Sequence, residues 1–245
     1  MRSQQLDATA AIQRLADGVR RHPALDNAFY RHWMSGALPY RQVEVFAREF
    51  YARTVDTMLM AALSVLHADD LADRVERVRH LYTEYGSGDP AKAHLLLQEM
   101  MLTDLLGRLR GTPYPLAELR AADPLPGTRS FTEGRRALFT DPDKRVVQGA
   151  LLAQELLAHP APVRLYEGLR NYKHLYDEDA FHHMCEYFYV HICEAAKGDR
   201  EEAVAAAARL CRDEEDLDRL RVGFDGLLEL TAGYWDEVHR AMLAA

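Results

Sequence analysis

Apolar residues recur at intervals of three and four along almost the whole chain, and no long run of β-branched residues interrupts them. That period is the mark of amphipathic α-helices and excludes a sheet-based fold. The spacing predicts a helix over about Gln5 to Arg21, a second from about Leu25 to Met34, and a long third from about Tyr40 to His67. A fourth spans about Leu71 to Tyr85, with Leu71, Val75, Val78, Tyr82 and Tyr85 as its apolar stripe. Gly86 and Gly88 stop it, and Asp89-Pro90 opens the next helix, which runs to about Leu106. Gly107 to Thr128 holds four prolines and three glycines, so a lid or surface loop is expected there. Ser130 with Glu133 reads as a capping box for a short helix to Leu138. Asp141-Pro142 starts a helix to about Ala158, broken by Pro160 and Pro162, and a further piece covers Arg164 to Tyr172. Three more helices come after it, from Asp179 to Lys197, Arg200 to Arg212 and Glu215 to Met242. These helices with short connections make an all-α bundle, expected to be one domain over residues 1–245.

Composition narrows the function. Hydrophobic residues form 48% of the 245, enough for a sizeable core. The formal net charge of -8 gives no reason to meet phosphate backbones, so nucleic acid is not an expected partner. No run of about eighteen apolar residues exists, so no membrane span is expected. Three cysteines, Cys185, Cys193 and Cys211, are too few for a disulfide framework and fit a reducing cytoplasm. Pairing into a homodimer is expected of a helical domain of this kind, with no segment marked as the face.

Polar residues inside apolar helices carry the functional information. The stretch Val146 to Ala158 is apolar nearly all round, yet it contains Glu155, whose burial demands an ion pair, a proton or a cation. The plainer reading is a salt bridge to a neighbouring arginine. The segment Ala180 to Glu194 places three histidines and two glutamates within thirteen residues of an aromatic-rich helix. Helical geometry sets His183, Tyr187, His191 and Glu194 on one side and pairs His182 with Glu186 on the next. Core hydrogen bonding is the plainer reading of any one of these histidines. Glu84 ends its helix, where a carboxylate opposes the dipole, and His94 opens the next; a solvated glutamate and a capping histidine would look the same. Glutamates and histidines on three helices of a bundle are nonetheless how such bundles hold metal, and a mixed oxygen and nitrogen set favours iron or manganese over structural zinc.

On these residues the sequence resembles the heme-oxygenase-like diiron oxidases, a superfamily that includes TenA-type thiaminases and pyrroloquinoline-quinone synthase. The likeness spans roughly Gln42 to Leu243. It is carried by Glu84 to His94, by Gln154-Glu155 with Leu165 to Leu169, by Tyr187 to His191, and by Gly223-Phe224-Asp225 to Tyr234-Trp235-Asp236. The resemblance implies a heme-oxygenase-like helical fold and places Glu84, His94, Glu155 and His191 on ligand positions. The family's late His-xxx-Asp-xx-His run is incomplete, because Ala195 and Gly198 occupy its last two positions. Glu194, one residue from the expected acid, is the candidate replacement, or the register slips back to His182 or His183 with Glu186. The activity that the resemblance implies is that of a non-heme oxidase or oxygenase using one or two Fe(II) ions and O2 on a small, amino-acid-like metabolite. Tyr187 and His183 are its candidate catalytic groups, and Phe50, Tyr51, Met58 and Tyr187 the expected lining. The alternatives are a metal-free oxidase or acid-base enzyme of the same fold, as pyrroloquinoline-quinone synthase exemplifies, and a non-catalytic binding protein on a decayed scaffold.

Overall fold

A computed structural model describes residues 7–68, 70–195 and 200–245, without the side chains of Glu194 and Ala195. Among the described residues fourteen α-helices succeed one another and no strand occurs. They are α1 (Ala8–Gly18), α2 (Ala28–Met34), α3 (Tyr40–Thr54), α4 (Thr57–Leu66), α5 (Leu71–Glu84), α6 (His94–Arg110) and α7 (Leu116–Arg120). Then come α8 (Pro126–Phe139), α9 (Lys144–Ala158), α10 (Pro160–Leu169), α11 (Glu178–Met184), α12 (Glu186–Ala195), α13 (Arg200–Arg209) and α14 (Glu214–Ala244). Aspartate and asparagine side chains start many of them: Asp7, Asn27, Asp70, Asp143, Asp177 and Asp213 each accept a backbone N–H of the first turn.

The helix content agrees with the periodicity, but several boundaries move. The long third helix divides after Thr54, whose hydroxyl donates back to the Phe50 and Tyr51 carbonyls, a bond that competes with the helix ladder. The helix from Asp179 breaks at Cys185. The proline-rich segment contains α7, and α8 begins at Pro126 in the first-turn position proline favours, so Ser130 lies inside the helix rather than at its cap.

The spine of the molecule is the pair α9 and α14. Their backbones touch where Gly149 meets Gly223: a Cβ at Gly223 would overlap the Val146 carbonyl, and one at Gly149 the Leu220 carbonyl. Beside them lies an aromatic core in which Phe29 stacks on Trp235 at 4.1 Å and Trp33 meets Phe46 at 4.4 Å. At the N-terminal ends of the two spine helices, Arg145 joins Asp143 (2.8 Å) to Asp216 (2.6 Å), and Arg212 and Arg219 close the network. A surface cleft of about 770 Å³ lies over these residues, lined by Lys144, Arg145, Arg209 and Arg212 with the two carboxylates Asp143 and Asp216.

The stripe on α5 is a correction. Leu71, Val75, Val78, Tyr82 and Tyr85 face outward, each about half exposed or more. The inward side of α5 is instead Asp73, Arg77, Leu81 and Glu84. Among the helices α5 packs chiefly on α4, so its polar side closes one wall of the site.

Candidate metal centre

The turn after α5 builds the site. Gly86, Ser87 and Gly88 all take positive φ (83°, 54° and 97°), which reverses the chain. A Cβ at Gly86 would overlap the backbone of Asp89 and Ala93, so only glycine lets the returning chain pass this close. Tyr82 Oη donates to the Ser87 carbonyl at 2.6 Å and Asp89 caps the following 3₁₀ turn, fixing the loop. His94, the first residue of α6, is thereby folded back onto Glu84, with Nδ1 3.2 Å from Oε2. From the other side α12 supplies His191, whose ring centre is 4.5 Å from that of His94.

Single ligand atoms of Glu84, His94 and His191 lie within 4.8 Å of one another. Atoms bound about 2.1 Å from one ion lie roughly 3 to 4 Å apart, so a small inward adjustment suffices to hold one. Glu84 and His94 are buried, 5% and 4% exposed. His191 Nδ1 is 2.7 Å from the Tyr187 carbonyl and donates to it as the Nδ1–H tautomer, which leaves Nε2 as the ligating lone pair. Burial pushes the His191 imidazole down to about 4, with the neighbouring His94 acting in the same direction, so it is neutral and ready to ligate at physiological pH. Burial alone would raise the Glu84 carboxyl, but the hydrogen bond and charge of His94, then His191 and His80, outweigh it and hold the group lowered, as a carboxylate.

The remaining expected site residues do not join this group. Glu155 is solvent-accessible rather than buried. The buried residues of α9, from Val146 to Leu157, leave Glu155 on the other side of the helix. The expected arginine partner is not found, and among the described residues no ion pair holds it. Surrounding protein still raises its carboxyl, opposed by the charge of His80. His183 is separated from His191 by the break at Cys185 and lies at the surface, 3.6 Å from Glu186, which also pairs with Lys92. His182 packs against Tyr189 instead of pairing with Glu186. The Glu194 and Ala195 side chains and Gly198 lie outside the described residues. Tyr187 is enclosed, with its ring 4.3 Å from His191 and 6.0 Å from Phe50, and burial raises its phenol so that it keeps its proton. Tyr51 points instead toward the buried Glu99, which Arg120 clasps with two 2.8 Å bonds. One residue escaped the sequence reading: His80, a turn before Glu84 on the same side, with Nε2 3.8 Å from its carboxylate. The i, i+4 spacing of His80 and Glu84 was the available signal.

No family model matches the chain, and no curated protein matches it in sequence. Solved structures do match in shape. A CADD-like protein of unknown function from Nostoc punctiforme superposes with a TM-score of 0.70 at 17% identity, over 97% of this chain and 96% of the other. A Shewanella denitrificans domain of unknown function with a heme oxygenase-like fold gives 0.66 at 18%, over 96% and 93%. A TenA homologue from Pseudomonas syringae gives 0.73 at 9%, over 96% and 94%. The chain therefore has the heme oxygenase-like fold expected from its motifs, and at these identities the likeness establishes fold alone.

Proposed function

We propose that this chain is a non-heme iron enzyme, an oxidase or oxygenase of a small metabolite, built around one Fe(II) held by Glu84, His94 and His191. The observation that carries the reading is the donor set: two imidazoles and one carboxylate, converging from α5, α6 and α12. Two histidines with one carboxylate is the ligand combination of mononuclear iron oxygenases, and it leaves coordination positions open. The residues fit the group in a second way, since among the described residues the buried carboxylate is paired by imidazoles rather than by an arginine salt bridge. Bound iron would supply the O2 activation that protein side chains lack. Glu155 and His80, whose charges act on each other, are candidates for a second ion or for proton exchange with substrate.

The chain's own groups have definable parts. Tyr187 orients the His191 ring through its backbone carbonyl and, with Phe50, shields it from water. The glycine turn keeps His94 over Glu84 before any ion arrives, so little reorganisation is needed on binding.

The test is equilibrium dialysis of chelator-stripped protein against Fe(II) under anaerobic conditions, with circular dichroism to follow the fold. About one ion per chain is expected, falling to near zero in Glu84→Ala and His191→Ala with helicity retained. A wild-type stoichiometry near zero in a folded protein, or full retention in both variants, contradicts the reading.

A further inference from the structure

A second cluster lies near the triad, between α2, α3, α8 and α14. Its centre is a pair of arginines. Arg135 is 6% exposed, and its Nη2 donates to the Arg53 carbonyl at 3.2 Å. Both guanidinium groups lie against the same ring, Phe131, at 4.7 Å for Arg53 and 5.2 Å for Arg135. Arg53 also lies 5.1 Å from the Tyr234 ring and 5.4 Å from Trp235.

Neither arginine has a carboxylate within salt-bridge distance among the described residues. The charges of Asp56 and Glu84 act on Arg135, but Asp56 accepts from Arg136 at 2.6 Å and Glu84 faces His94. Around the pair, four donors are buried without an acceptor: Arg53 Nε, Arg135 Nε, Tyr30 Oη and Tyr234 Oη, while the Trp235 N–H turns to Tyr30 Oη. Each buried donor left unmet costs roughly 1–3 kcal/mol, and two adjacent cations in a poorly polarisable interior repel. Burial, with Arg53 next to it, pushes Arg135 down to about 10, the physical record of that strain. Protein cores do not collect donors and positive charge in one place without an acceptor to meet them.

We propose that Arg53 and Arg135 hold the carboxylate of a small organic acid at this cluster, near the Glu84–His94–His191 centre. A carboxylate supplies the missing negative charge and up to about four lone-pair directions, which matches planar guanidinium donors and two phenolic hydroxyls. The three rings around Arg53 leave apolar surface for the body of a compact acid. Tyr187 joins the two places: its ring touches His191, and its phenol senses the charges of both Glu84 and Arg53. An acid anchored at the arginines would extend past Tyr187 toward the metal. The anion site stands on its own donors, whereas its part as the substrate's anchor rests on the iron reading.

The experiment uses the full chain stripped of metal by chelator, so its outcome is independent of iron binding, which dialysis measures separately. Thermal unfolding is followed with sodium acetate against equal sodium chloride, and against acetamide as the neutral isostere. Acetate is expected to raise Tm by a few degrees with a response that saturates, and acetamide to leave it unchanged. Arg135→Met is expected to lose the acetate response and, without acetate, to melt no lower than wild type, because it removes an unpaired buried charge. Should Arg135→Met not fold, the saturating contrast between acetate and acetamide in the wild type decides. A Tm that acetate and chloride move alike, a response shared by acetamide, or an undiminished response in folded Arg135→Met would overturn the proposal.

Discussion

The α9–α14 spine and α5 are both amphipathic helices by sequence, yet they are built for opposite purposes. In the spine, two glycines let backbones meet, aliphatic side chains fill the seam, and an aspartate–arginine network clamps the ends. On α5 the apolar stripe faces out and the polar residues face in. The inverted helix is the one that delivers Glu84. A side that must present a carboxylate to two imidazoles cannot also offer an apolar face to the core, so its anchorage falls to α4 and to the glycine turn. The molecule thus separates packing from chemistry, and substitutions in the two regions should fail in different ways.

The largest effect is expected at the spine. Gly223→Ala forces a methyl into the Val146 carbonyl, and a loss of more than ~3 kcal/mol in denaturant unfolding is expected, with Gly149→Ala close behind. Next comes Glu84→Ala on α5, which should weaken Fe(II) binding by at least ~100-fold while leaving Tm within a few degrees, the reverse of the glycine pattern. Isothermal titration paired with melting separates the two. A third effect concerns acid. Asp143 and Asp216 are held below the usual carboxylate range, chiefly by hydrogen bonds from Arg145 and Arg212 respectively. Their folded pKa lies below the unfolded one, so their stabilisation is complete above about pH 4 and fades as pH falls below it. Asp216→Asn should therefore melt lower than wild type at pH 7, with a difference that shrinks toward pH 2. The smallest effect is expected on the outward stripe: Val75→Ser should shift stability by no more than ~0.5 kcal/mol, whereas a Val146→Ser change in the spine costs several times that. A large loss from Val75→Ser would break the comparison, because it would mean that the outward face is covered.

The same division separates what was legible in the sequence from what was not. Helix content and the glycine stop before Asp89 were legible because periodicity and turn chemistry are local. The side that the α5 stripe faces was not, since a period reports that a stripe exists and says nothing of what lies against it. Glu84, His94 and His191 were found as polar residues out of place and through the family motifs. Glu155 was misjudged as buried because its helix is apolar nearly all round, and only the packing partner tells which part is covered. The break at Cys185 removed His183 from the site, and no glycine or proline announced it. Arg53 and Arg135 went unremarked because single arginines in helices usually reach water; their convergence on Phe131 is a tertiary fact.

The central claim is that Glu84, His94 and His191 form one iron site. An anomalous difference map from a crystal soaked anaerobically in Fe(II) tests it most directly. One peak bonded to Glu84, His94 Nδ1 or Nε2, and His191 Nε2 is the predicted result; no peak there, or iron bound only by Glu155 and His80, would contradict it.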